Sequence, residues 1–236
     1  MANLFTSPPR LPLIAPSILS ADFADLGREC RDVLDAGADL LHFDVMDGHF
    51  VPNLTMGPAL CQSLRRALPD AFLDVHLMVT DPERFIEPFV KAGASHITFH
   101  IEPTGESQAA KLARTVRRTG LTVGLAISPD TPTSAALGVI PEFDLILVMS
   151  VRPGFSGQSF MPEVLPKVAA IAKVLRPSQR LEMDGGIGIE TASIVREHGC
   201  DVLVAASAIF ASPASGRAAV IGTLAARSPC MLPKLS

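Results

Sequence analysis

The sequence predicts a single α/β domain closed into a (β/α)8 barrel, and three observations carry that prediction. Short apolar runs alternate with amphipathic segments along the 236 residues, the pattern of strands buried on both faces of a parallel sheet and joined by helices. Three stretches repeat one design, DAGADLLHFD at 35–44, KAGASHITFH at 91–100 and EHGCDVLVAA at 197–206: a helix end, a glycine turn, then a buried strand. Eight such units in about 220 residues match a closed barrel, which takes about 250, better than an open sheet split between two domains.

The strands are expected, in order, at Leu13 to Leu19, Leu40 to Val45, Phe72 to Val79, His96 to His100, Thr122 to Ile127, Leu145 to Ser150, Arg180 to Asp184 and Val202 to Ala205. A helical segment is expected after each. The first runs from Asp25 to Ala36 with Ser20 as its N-cap, and a later one runs from Glu190 to His198 and stops at Gly199. No linker divides the chain, so residues 1–236 read as one domain with a core at about 11–226. The tail at 227–236, with its prolines and sparse pattern, reads as loosely attached.

Composition excludes several function classes. Apolar residues make up 48% and charged residues 19%, the balance of a folded globular protein rather than a disordered one. A net charge of -4 gives no basic field for nucleic acid. No stretch reaches the roughly 20 apolar residues of a membrane span. Pro8, Pro9 and Pro12 interrupt the N-terminal apolar run, no export signal follows, and a cytoplasmic protein is expected. Cysteines 30, 61, 200 and 230 form no CxxC pair and read as reduced thiols.

In such a barrel the chemistry sits at the C-terminal ends of the strands. His42 and Asp44 are two apart on the second strand, so both point into the barrel. His76 on the third strand and Asp184 on the seventh complete a set of two imidazoles and two carboxylates, suited to one divalent ion: zinc, iron(II), manganese or cobalt. Taken alone, His-x-Asp is a weak motif, and His76 by itself fits a satisfied core histidine equally well. Their shared position inside apolar runs decides between the readings, because buried charge needs a partner. His49, His96, His100 and His198 have no carboxylate at matching strand depth and read as structural. Asp184-Gly185-Gly186-Ile187, the loop Pro153 to Gln158, and Ala206-Ser207 offer backbone N–H groups to an anion, although each glycine pair is also compatible with a plain tight turn. Met46, Met78 and Met149 are core filler individually. Together they can line a dry pocket.

These residues lie within longer motifs: APSILSADFADL at 15–26, HFDVMDGHFVPNLTMGP at 42–58, DVHLMVTDPERFI at 74–86, MSVRPGFSGQSFMPEVLPKV at 149–168 and EMDGGI at 182–187. Through them the chain resembles the ribulose-phosphate 3-epimerase family from Ala15 to about Ala214. The resemblance implies a metal-dependent isomerase that converts D-ribulose 5-phosphate to D-xylulose 5-phosphate, with His42, Asp44, His76 and Asp184 holding one divalent metal per subunit and Asp44 and Asp184 as the acid/base pair. It implies substrate contacts at Ser17 and His76, a cap formed by Met46, Met78 and Met149, and phosphate loops at Gly154, Phe155, Ser156, Gly157, Gly185, Gly186, Ala206 and Ser207. Segment Gly154 to Phe160 is expected to close as a lid, and the family also implies a homo-oligomer.

Two positions depart from the family pattern. Ala206 stands where the family has Gly, so its methyl can crowd a phosphate. Arg152 stands where the family has Asn or Glu, and its guanidinium can reach the phosphate or face solvent. The alternatives are an epimerase of a ketohexose phosphate such as D-allulose 6-phosphate, or a barrel that binds phosphosugars without catalysis. The Asp-x-Lys-x-x-Asp pattern of related barrel decarboxylases and aldolases is absent.

Overall fold

Both sides of nearly every expected strand are apolar, so each strand must be covered twice. The computed structural model, which describes residues 3–226, shows how this is done. Eight parallel strands form: β1 (Leu13–Pro16), β2 (Leu41–Met46), β3 (Leu73–Met78), β4 (His96–His100), β5 (Thr122–Ile127), β6 (Leu145–Met149), β7 (Arg180–Asp184) and β8 (Val202–Ala205). They pair in the order β1-β8-β7-β6-β5-β4-β3-β2. A parallel bridge between Ser17 and His42 joins the two end strands and closes the barrel. Four strands match the expectation residue for residue. The first is shorter than expected, because Ser17 caps a 3-10 turn at Ile18–Ser20 and turns the chain out of the sheet.

The helices are α1 (Leu26–Asp35), α2 (Pro58–Ala67), α3 (Glu83–Ala92), α4 (Gly105–Arg118), α5 (Leu165–Ala172), α6 (Ala192–Glu197), α7 (Ser207–Phe210) and α8 (Ala214–Ala225). Ser20 does not cap α1. It lies within the 3-10 turn, and Asp22 instead accepts from the Ala24 amide to start a second turn that leads into the helix. Nor does an α-helix follow β5. Pro129, Pro132 and Pro141 withhold amide donors there, and only the 3-10 turns Thr133–Ala135 and Ile140–Glu142 form. Gly199 does end the segment after β7, at φ 104°, although α6 is shorter than expected at both ends.

Alternation along the strands divides the apolar residues into two layers. Phe43, Val45, Val75, Phe99 and Leu125 face outward into the main core under the helices. Leu13, Ala15, Leu145, Leu147, Val202 and Val204 fill the barrel interior. Phe5 joins this inner layer from the N-terminal segment, fully buried, with its ring edge-on to Phe72 at 5.0 Å and to His96 at 4.7 Å. It plugs the end of the barrel opposite the strand C-termini. Phe5→Ala is therefore expected to destabilise the fold by about 3–5 kcal/mol, as for other buried aromatic truncations. Denaturant unfolding reads this directly, and a change under about 1 kcal/mol would mean that the plug is dispensable.

Cys30, Cys61 and Cys200 are buried and free, as expected. The 227–236 tail and Cys230 lie outside the described residues. Among the described residues no helix is long and apolar enough to cross a membrane.

Candidate active site

The register of the parallel sheet assembles the site. Pairing of β2 with β3 sets Asp44 opposite His76 and Met46 opposite Met78, and pairing of β6 with β7 sets Met149 opposite Asp184. One potential ligand atom each from His42, Asp44, His76 and Asp184 then falls within 4.8 Å of all the others. Three of these atoms form a near-equilateral triangle: His42 Nε2 to His76 Nδ1 is 3.3 Å, His76 Nδ1 to Asp44 Oδ1 is 3.2 Å, and His42 Nε2 to Asp44 Oδ1 is 3.4 Å. Ser17 Oγ donates to the other Asp44 oxygen.

A cavity of about 380 Å³ opens above them. Ser17, Asp44 and Asp184 line it with all three methionines, Met46, Met78 and Met149. The loop Gly154, Phe155, Ser156, Gly157 forms one wall, and Gly185, Gly186, Ala206 and Ser207 form another. His42 and His76 are fully buried and do not line the cavity; they lie beneath its floor. Leu19, Ile187 and Ala208 also line it, and nothing in their residue types announces that role.

The glycine pair after β7 is required by space as well as by torsion. Gly185 has φ 122° and a Cβ there would lie 2.8 Å from the Val151 amide nitrogen; Gly186 has φ 62° and its Cβ would lie 2.4 Å from the Phe160 amide nitrogen. Ala206 has φ -108°, outside the left-handed region that calls for glycine. Arg152 pairs with Asp130 at 3.0 Å, with 69% of its side chain exposed, and does not line the cavity. Two contacts tie the loop after β6 across the mouth: Asn53 Nδ2 donates to the Gly154 carbonyl at 2.8 Å, and Ser20 Oγ meets Ser156 Oγ at 2.6 Å.

Electrostatics separate the two aspartates. Burial acts to raise Asp44, but His42 and His76 outweigh it and hold the carboxyl well below the usual range. Asp184 is pushed up to about 7, first by burial and then by the charge of Asp44. His76 is lowered to about 4, chiefly by burial. His42 is buried too, yet Asp44 and Asp74 raise it well above the ordinary histidine value. Asp74 accepts from His42 Nδ1 at 2.7 Å, which turns Nε2 toward Asp44. Beside it Glu182 is fully buried and raised, first by burial and then by the charge of Asp74, both of which disfavour its charged form.

His96 is the satisfied core histidine that was expected, bonded to Thr122 at 2.8 Å and Thr98 at 3.0 Å. His49 and His198 bond to local backbone carbonyls. His100 departs from expectation, because it has a carboxylate partner: Glu102 Oε2 lies 2.9 Å from its Nδ1. The side chains of Glu102 and His100 meet just past the end of β4, where strand periodicity gives no warning.

A family model described as the ribulose-phosphate 3 epimerase family matches residues 13–210. A protein of Eremothecium gossypii named ribulose-phosphate 3-epimerase is 44% identical over 211 residues, covering 85% of this chain and 87% of that one. Its namesake in Mycobacterium tuberculosis is 47% identical over 214 residues, covering 89% and 91%. Among solved structures, 3-hexulose-6-phosphate synthase from Salmonella typhimurium superposes with a TM-score of 0.69 over 90% of this chain and 96% of that one, at 16% identity. At that identity the likeness shows the fold alone.

Proposed function

The chain belongs to the ribulose-phosphate 3-epimerase family, and from that premise we propose that it interconverts D-ribulose 5-phosphate and D-xylulose 5-phosphate by proton transfer between Asp44, Asp184 and carbon 3 of the sugar. The observation that carries this reading is the triangle of His42 Nε2, His76 Nδ1 and Asp44 Oδ1, with sides of 3.2–3.4 Å, beside Asp184 in the floor of the cavity. Donor atoms about 2.1 Å from a common centre at tetrahedral angles stand about 3.4 Å apart. The residues therefore fit a divalent ion, with two imidazoles and two carboxylates suiting zinc, iron(II), manganese or cobalt.

When bound, such an ion supplies Lewis acidity at the ketone and its neighbouring hydroxyl, which acidifies carbon 3 and offsets the charge that develops on oxygen. The chain's own residues do the rest. Asp44 from β2 and Asp184 from β7 come from strands separated by β1 and β8, so they approach a substrate from different sides. Their pKa values are pushed apart, which suits one to remove a proton while the other returns one to the opposite face. Ser17 holds Asp44 in place through its hydroxyl. Met46, Met78 and Met149 give the reacting carbons a surface with no exchangeable proton, which protects the enediolate from water. The backbone at Gly185, Gly186, Ala206 and Ser207 and the loop from Gly154 to Gly157 form the walls that receive the phosphate, the latter closing as a lid.

A coupled assay for the two pentose phosphates, run on metal-loaded protein and again after chelation, tests this. Activity that chelation removes and metal restores is the expected result. No turnover of this pair by protein that retains its metal would overturn the substrate assignment in favour of a ketohexose phosphate.

A further inference from the structure

Behind His76, on the side away from the Asp44 triangle, runs a line of hydrogen bonds that these proton transfers do not use. His76 Nε2 and His100 Nε2 are 2.9 Å apart, and their rings meet edge to edge, tilted by 21° with centroids at 5.0 Å. His100 Nδ1 meets Glu102 Oε2 at 2.9 Å, while Ser128 Oγ stands farther off at 3.5 Å. The other carboxylate oxygen, Glu102 Oε1, accepts from the Ser128 amide at 2.7 Å and from Thr131 Oγ1 at 2.6 Å. Lys167 in turn donates to the carbonyls of Ser128, Pro129 and Thr131, at 2.8, 2.8 and 2.5 Å, and pins the loop that holds Glu102. His100 is fully buried.

We propose that His100 and Glu102 are positioning residues that fix the tautomer of His76, keeping its Nδ1 as a bare lone pair directed at Asp44 and His42. This rests on the reading that a divalent ion is held there. The direction of each bond follows from the one before. A carboxylate only accepts, so His100 Nδ1 carries hydrogen. Neutral His100 then has only a lone pair at Nε2, and His76 must donate to it from its own Nε2. Neutral His76 with hydrogen on Nε2 has none on Nδ1, so its 3.2 Å contact with Asp44 Oδ1 sets two lone pairs face to face, an arrangement that a cation between them relieves and that Asp44, itself an acceptor, opposes when none is bound. A metal-binding histidine usually takes this instruction from a carboxylate, carbonyl or water in direct contact, as His42 takes it from Asp74. For His76 an imidazole is interposed, and the carboxylate's preference is passed through it from the rim of the barrel to the floor of the site.

Glu102→Gln tests the relay without changing its size. The Ser128 amide and the Thr131 hydroxyl both demand an oxygen at Oε1, so the new amide nitrogen faces His100 Nδ1 and reverses every bond behind it. In metal-free protein, where Asp44 Oδ1 competes for the hydrogen at Nδ1, long-range proton–nitrogen NMR is expected to show a larger share of hydrogen on Nε2 of His76 in the parent than in the variant. Competition against a chelator is expected to show Zn2+ affinity lowered about 10- to 100-fold in the variant. His100→Gln, whose amide oxygen can accept from His76 Nε2, should keep more of that affinity than His100→Leu, which offers no acceptor. An unchanged His76 tautomer with unchanged Zn2+ affinity in Glu102→Gln would overturn the relay. A parent that switches tautomer on this substitution yet never takes up Zn2+ would support the relay and remove the ion, so the two readings fail separately.

Discussion

Asp184→Asn is expected to lower epimerisation by about 10²- to 10⁴-fold, the range contributed by a positioned acid or base, and to leave the barrel folded. The side chain is replaced by one of equal size, and the backbone role of the residue survives: the Asp184 carbonyl still accepts from the Ser150 amide at 2.7 Å. The variant carries a second, independent signature in metal-free protein. Asp184 has its pKa raised on folding, from the ordinary carboxylate value near about 4 to about 7. Its contribution to stability is thus complete below pH of about 4, falls as pH rises, and is gone once pH passes the folded value of about 7. Asn does not ionise, so the parent should lose thermal stability across that window while the variant does not lose this part. Near-parent turnover in Asp184→Asn would remove the residue from proton transfer, whatever the melting curves do.

His76→Ala is expected to have the largest effect on metal content. The substitution deletes one corner of the triangle of donors and leaves His42 and Asp44 facing each other at 3.4 Å. Outer partners of a metal ligand cost about 10- to 100-fold in affinity when lost, so loss of the ligand itself should cost more than that. After dialysis against a weak chelator, the parent should keep close to one ion per chain and the variant a small fraction. Equal metal content in the two purified proteins would show that His76 is not a ligand.

Much of this was legible from the residues because period two along a strand is rigid. His42, Asp44 and Met46 share a face for that reason, and the lone Asp184 could be added because it ends an apolar run and precedes two glycines. What the residues could not disclose were contacts set by the folded arrangement of neighbouring strands. Asp74 sits at an inward position of β3 and Glu182 at one of β7, yet the bond of Asp74 to His42 and the place of Glu182 beside it depend on how those strands face β2 across the interior. His100 meets His76 only because β4 lies beside β3, and its partner Glu102 stands past the strand end, where alternation no longer governs direction. Local chemistry misled in two places. Ser20 has the makings of a helix cap but is consumed by an earlier turn. Three prolines broke the helix expected after β5.

The bridge between Ser17 and His42 puts the weakest join of the cylinder at the site itself. Along the rest of the circumference neighbouring strands are stitched by three to six residue pairs, whereas among the described residues β1 and β2 share this one bridge pair, with the Asp39 amide donating to the Ile14 carbonyl at 3.0 Å farther down the seam. Ser17 lies on one lip of the seam and Asp44, which its hydroxyl grips, lies on the other. A molecule lodged against Ser17, Asp44 and Asp184 therefore acts as a rivet across a hoop as well as an occupant of a pocket, and opening the hoop must first expel it. Amide hydrogens near the seam should accordingly exchange more slowly when the pocket is filled, with little change at the β4–β5 side of the barrel, whose staves are already fully sewn.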